Sequence, residues 1–384
     1  MAHKNSTAAA AADVALGHSS TLKRRALLLA ELGKVAYGIH NSSVAPVARW
    51  SCASRGEVIR LQLVGCDAKR VRRILALSSD LQELRLATCC DLVCLSDSLA
   101  SLSGLHHIKL YRCTALEALS DSLSDLTALQ NLHIERCSAL KALPALRSGL
   151  SALQTLHIES CDAITALPES IGDLTALEEL SILRCPRFST LPESLVALRA
   201  LTHIHINHCP GITVLPEALG GLSALQHLEI INCASLTSVP AFLGALSALW
   251  YFDVSGCSEL TALPESLGQL DALRHLNICR CSGITALPQS LGALTGLKKI
   301  LAIGCTSLAA LPSSIGGLCS LRVLSLRGCI GLAALPESLC DLTSLVYLEL
   351  DRCTGLESLP LESSLPPNLK ELDMSGIGAT DWEA

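Results

Sequence analysis

From Leu81 to Asn368 the chain repeats itself every 24 residues, twelve times in succession, with no insertion or deletion. One unit reads Leu153-Gln-Thr-Leu156-His-Ile158-Glu-Ser-Cys161-Asp-Ala-Ile164-Thr-Ala-Leu167-Pro168-Glu-Ser-Ile171-Gly-Asp-Leu174-Thr-Ala, and the shared form is LxxLxIxxCxxLxxLPxSLGxLxA. A unit of this length cannot bury its own apolar face. It must lean on the unit before and after it, so a constant period predicts a solenoid with one continuous core. The central LxI alternates, which places the fourth and sixth positions inward on a short strand and the third, fifth, seventh and eighth outward. Pro follows the fifteenth position in ten units, from Pro144 to Pro360, and suits the first turn of a short helix or an irregular convex segment. Ser96 and Ser120 stand there in the first two units, so those turns should differ. The Gly after the SL pair permits close packing or a positive φ.

Nineteen cysteines would suggest a disulfide framework in a short secreted chain. Their spacing points elsewhere. Thirteen of them, Cys66 and then every 24th residue from Cys89 to Cys353, fall at the ninth position of their units. Equivalent positions in a solenoid stack into a column, and a column of like residues is not a set of pairs. Free, buried thiols favour a reducing, cytoplasmic setting. Residues 1–19 are Ala- and Ser-rich and read as a disordered leader; Asp13 is the sole acid among the first thirty residues, so organelle import is the alternative reading. A helix is expected over 20–38, with Leu22, Leu28, Leu29, Leu32, Val35 and Ala36 as its apolar stripe. Residues 20–80 form an N-terminal cap that includes one irregular repeat, and 369–384 a partial thirteenth repeat and C-terminal cap, with Gly376 at the ladder position and Trp382 in the cap.

The repeat resembles those of plant intracellular disease-resistance receptors, which share LxxLxIxxCxxLxxLPxSIGxLxxL with Leu153–Leu174. It is also similar to plant Ras-group-related leucine-rich-repeat proteins through the LPxSIGxL half. That resemblance implies the leucine-rich-repeat fold: an α/β horseshoe with a concave parallel β-sheet. It implies protein recognition on the concave face as well. It brings no enzymatic residues, since the chain contains no Walker A or kinase motif.

Composition narrows the function classes. The chain is 50% hydrophobic, yet no run approaches the ~18 apolar residues of a membrane span, so no membrane partner is expected. A net charge of −6 and 3% aromatic residues give no global basic field and few stacking platforms, so nucleic acid is not expected either. His203, His205 and His227 form the one metal-ligating constellation: two share a strand face and the third stands opposite on the next strand. A solvated or partner-contacting face is the reading adopted there, with no cofactor. Cys279 is the thiol that falls at an outward strand position.

The outward positions should carry specificity, because the inward ones barely change. They run from a basic N-terminal end (Arg85, Lys109, Arg112) to an acidic C-terminal end (Glu349, Asp351, Glu371, Asp373). Units eight to eleven and the next strand bring Tyr251, Asp253, Cys279, Arg280, Leu301, Ile303, Arg327 and Tyr347 to one face. The tenth unit inverts the pattern: Ala302 points inward while Leu301 and Ile303 point out. The expectation is a non-catalytic protein-binding scaffold, taking part in a larger assembly. The alternatives are a substrate adaptor for ubiquitin ligation and a metal-dependent or thiol enzyme.

Overall fold

The computed structural model describes residues 23–34, 47–53, 58–95, 97–146, 148–357 and 365–377. The leader 1–19, Ser96, Pro360 and Trp382 lie outside the described residues. The chain divides into two compact units, Met1–Leu153 and Gln154–Ala384.

The first unit opens with helix α1 (23–34), which turns Leu28 and Leu32 inward. Leu29, read as part of that stripe, is exposed instead. Glu31, also buried, accepts from Lys34 at 2.9 Å and pairs with Arg73 at 3.0 Å, which ties α1 to the next helix. Strand β1 (Val47–Cys52) pairs antiparallel with β2 (Val58–Val64). Helix α2 (Ala68–Ala76) follows, capped by Asp67, whose side chain accepts from the Arg70 N–H, and buries Val71, Ile74 and Leu75. Then β3 (Glu83–Ala87), β4 (His107–Tyr111) and β5 (Asn131–Glu135) continue from β2, each parallel to the last.

The second unit holds β6 (Thr155–Glu159), β7 (Glu179–Leu183), β8 (His203–Asn207) and β9 (His227–Ile231). Six shorter strands follow: β10 (Tyr251–Asp253), β11 (His275–Asn277), β12 (Lys299–Leu301), β13 (Val323–Ser325), β14 (Tyr347–Glu349) and β15 (Glu371–Asp373). All pair in parallel and in sequence order. At three of these shorter strands a fifth-position side chain takes a backbone N–H that would otherwise extend the ladder. Asp253 accepts from Ser255 at 2.8 Å, Asn277 from Cys279 at 3.1 Å and Asp373 from Ser375 at 3.0 Å.

Every inward fourth and sixth position from Leu84 to Leu350 is buried, as is the whole cysteine column. Each of the two units is built in the α/β leucine-rich-repeat manner, strand and turn alternating with the period. Opposite the sheet, most units carry a 3-10 turn of five residues, such as Glu169–Asp173 and Glu265–Gln269. The prolines do not sit inside those turns. Pro168, Pro192, Pro216, Pro240, Pro264, Pro288 and Pro336 each stand one residue ahead, in extended backbone (φ −70° and ψ 150° at Pro168), and lend a carbonyl to the turn: the Ile171 N–H reaches Pro168 at 3.0 Å. Ser120 replaces that proline and adds a side-chain cap on the Ser122 N–H. Glu265 spans to the following unit, accepting from the backbone of Gln289 and Ser290 at 3.1 and 2.9 Å, where the N–H ends of a helical turn favour an anion.

A second column went unread in the sequence. The eighth position of each unit has a left-handed backbone, from Thr88 (φ 50°) through Ser160 (φ 54°) and Arg280 (φ 59°) to Arg352 (φ 58°), with Gly256, Gly304, Gly328 and Gly376 at the same place. Gly376 therefore occupies the eighth position, not the ladder position, which falls to Ile377. Left-handed geometry disfavours a side chain with a Cβ. Ser160→Gly should raise stability by about 0.5–1 kcal/mol, seen as a higher urea midpoint at unchanged slope. A lower midpoint would mean that chain entropy outweighs the relief.

Candidate functional site

The sheet has one face turned to the core and one left open, and the expected binding residues of the second unit lie in three rows on the open face. Tyr251 and Tyr347 occupy the third-position row, Asp253 and Leu301 the fifth, and Cys279, Ile303 and Arg327 the seventh. Register fixes this layout: Tyr251 stands opposite His275, Leu301 opposite Asn277 and Ser325, and Tyr347 opposite Val323. Tyr251 and Tyr347 are four strands apart, about 19 Å. The residues share a face without closing into a pocket.

Leu301 and Ile303 are half-buried and Ala302 is fully buried, so the tenth unit does turn its larger aliphatic side chains outward. Arg280 is exposed, on its left-handed backbone. Arg327 is exposed but committed, reaching Asp351 at 2.8 Å and Glu349 at 3.9 Å. Asp253 lies on the open face but is buried among its neighbours' side chains, only 3% exposed, against its expected accessibility. Its carboxylate lies between neighbouring strands, accepting from Asn277 at 2.7 Å and from the Tyr251 hydroxyl at 3.3 Å besides the Ser255 N–H. It orients Tyr251 and is not itself a contact. Burial and the Asp253 charge push the Tyr251 hydroxyl up to about 12, so the phenol stays protonated.

The histidines behave as a stack. His203 and His227 lie 4.4 Å apart between ring centres and 17° from parallel, and His227 continues to Tyr251 at 5.4 Å and to the edge of Trp250 at 4.2 Å. Rings packed face to face aim their nitrogens along parallel planes, not at a common point. Two of those nitrogens are already engaged: His203 Nδ1 with Thr202 Oγ1 at 2.8 Å, and His205 Nδ1 with Glu229 at 3.0 Å. Among the described residues no three His, Cys, Asp or Glu side chains are placed to hold a metal ion. Glu229 was missed as a partner because it lies 24 residues from His205; parallel register sets them opposite. That bond raises the His205 pKa and lowers that of Glu229, while burial and the neighbouring His203 lower His227.

The thiols divide by exposure. All thirteen column cysteines are buried thiols outside any disulfide; the Sγ–H of Cys257 and Cys305 donate to the carbonyls of Ile230 and Ile278 at 3.1 and 3.0 Å. Burial pushes Cys185, Cys233 and Cys281 to about 12. Cys279 is half-buried and its pKa is raised too, opposite to the shift that activates a nucleophile. Cys52, Cys90 and Cys319 are the exposed thiols. Among the described residues no helix is long and apolar enough to cross a membrane.

No protein-family model and no curated protein matches the chain. Solved structures do show likeness. A leucine-rich-repeat protein from Leptospira interrogans is 22% identical over 77% of this chain and 84% of its own, with a TM-score of 0.43. The leucine-rich-repeat domain of the type III effector XopL is 28% identical over 61% of this chain and 73% of its own, with a TM-score of 0.43. An internalin from Listeria monocytogenes is 17% identical over 77% of this chain and 90% of its own, with a TM-score of 0.47.

The charge layout differs from a simple basic-to-acidic run. In the first unit, Arg85 and Lys109 are paired with Glu83 and Glu135 at 2.6 and 3.3 Å. In the second, cations gather at the second and third positions of β11 to β13, in Arg274, Lys298, Lys299 and Arg322. Second-position residues were left out of the sequence reading of the face. The visible signal was the change in that column to Arg274, Lys298 and Arg322.

Proposed function

We propose that the chain is a non-catalytic protein-binding module whose partner lies on the open sheet face of the second unit, across β10 to β14, in a cytoplasmic setting. The observation that carries this reading is β12. Leu301 and Ile303 stay half-exposed while alanine fills the core between them. An apolar pair at an outward position gains nothing in the free protein, and it suits the centre of an interface. Tyr251, held by Asp253, supplies an aromatic anchor two strands away on the same face, and Arg280 a long exposed cation. Raised thiol pKa values and stacked imidazoles speak against thiol or metal chemistry on the same face.

Tyr251→Ala should weaken binding of the native partner by about 1–2 kcal/mol in calorimetric titration, with thermal stability nearly unchanged. Glu337→Arg, exposed on the opposite side, should change affinity by less than about 0.5 kcal/mol. The reverse order would place the interface on the turn side.

A further inference from the structure

The cations at the strand-entry edge form a column. Backbone hydrogen bonds fix it: the Arg274 N–H reaches Trp250 at 2.9 Å, Lys298 reaches Arg274 at 2.9 Å, and Arg322 reaches Lys298 at 2.9 Å. Lys299 stands beside Lys298, opposite His275 on β11. No Asp or Glu occupies the second or third position of any unit from Thr202 to Tyr347. Among the described residues none of Arg274, Lys298, Lys299 and Arg322 is in an ion pair. On the same face Asp253 holds Tyr251 and Asn277 and Glu229 holds His205, while the Arg274 guanidinium donates to the Asp271 backbone carbonyl at 2.9 Å. In a chain of net charge −6, a run of uncompensated positive charge on three adjacent strands repels itself and gains nothing inside the fold. The matching negative charge has to come from outside.

We propose that this column is the dock for an acidic, carboxylate-rich, extended segment of a partner protein, laid across β11 to β13 with one end against Trp250 and Tyr251. The proposal rests on the reading of this sheet face as protein-binding, and it adds the partner's chemistry and a different set of residues. The span suits such a segment: three strands cover about 10 Å, the reach of three to four extended residues. Arg offers a fork for two carboxylate oxygens, and Lys a compact point charge. A single-stranded nucleic acid is disfavoured by the rings beside the column. Bases need free ring faces, whereas His203, His227 and Tyr251 spend theirs on one another.

The test uses the full chain and a fluorescein-labelled oligoglutamate peptide, followed by fluorescence anisotropy at low and high salt. Oligoglutamate should bind saturably. Lys298→Glu with Lys299→Glu should weaken it about tenfold or more, Lys298→Gln with Lys299→Gln by less, and Arg85→Glu hardly at all; added salt should weaken wild-type binding. Lys298 is exposed and Lys299 half-buried, and an unchanged urea midpoint shows that the variants fold. No saturable binding, equal binding by the double variant, or tighter binding of an oligothymidylate than of oligoglutamate would each overturn the proposal. The native partner separates this proposal from the reading beneath it. If Tyr251→Ala weakens that partner while the double charge reversal does not, the face binds protein but the column is not its acidic dock. If neither change matters, both fail.

Discussion

Phe252→Ala is expected to cost about 3–5 kcal/mol of unfolding free energy. Phe252 is among the largest fully buried side chains of the chain, at a fourth position that is Leu or Ile in the other units from Leu84 to Leu348. It stands in register between Leu228 and Leu276 on the adjacent strands. Truncation removes the ring's burial and leaves a cavity that two flanking units, fixed by their own backbone ladders, cannot collapse to fill. The loss should appear as a large drop in urea midpoint. Trp250→Ala, two residues away and half-buried, should cost far less. A Phe252→Ala midpoint within about 1 kcal/mol of wild type would mean that the inward row is not the load of the core, against everything the alternation implies.

On the other side of the solenoid, Gly292→Ala should destabilise by about 1–3 kcal/mol. A Cβ at Gly292 would come 2.2 Å from the Ser314 carbonyl oxygen and 2.9 Å from its carbonyl carbon, both backbone atoms of the next unit. Neither can move without shifting a whole turn. The same near contact recurs at Gly268 against Ser290 and at Gly172 against Ser194, at 2.5 and 2.6 Å. In these three units the glycine after the SL or SI pair allows the close approach, and its φ is not positive. Thermal unfolding of Gly292→Ala beside Gly33→Ala, where an added Cβ meets nothing within 4 Å, would show this. Equal melting points would remove the steric explanation.

The twelve-fold period made the strands legible because alternation and stacking are one-dimensional rules: knowing which residue is fourth or sixth in a unit is enough to place it inside. Legibility failed where the period fails. Between Cys66 and Cys89 the spacing is not that of the later units, and there the chain forms α2, whose Val71, Ile74 and Leu75 carry a helical pattern that repeat counting passes over. The extended stretch at Trp50 was legible as such, but its pairing as β1 was not, for a related reason. Its exposed antiparallel pairing has no counterpart in the repeats. At the site, Tyr251, Leu301 and Ile303 were placed by position alone. Asp253 was not, because its burial depends on Tyr251 and on Asn277 of the next unit, and side-chain hydrogen bonding between strands has no sequence period. The left-handed eighth position was legible in principle through its glycines, Gly256, Gly304, Gly328 and Gly376. Nine units with larger residues there concealed it.

The central claim is that the partner touches the open sheet face around β12. A photo-crosslinking amino acid placed at Leu301, and in a second variant at Glu337 on the turn side, reads this out in the assembled complex. Contact at Leu301 should give a covalent partner adduct on irradiation, and the Glu337 variant should give none. An adduct from Glu337 with none from Leu301 would contradict the account.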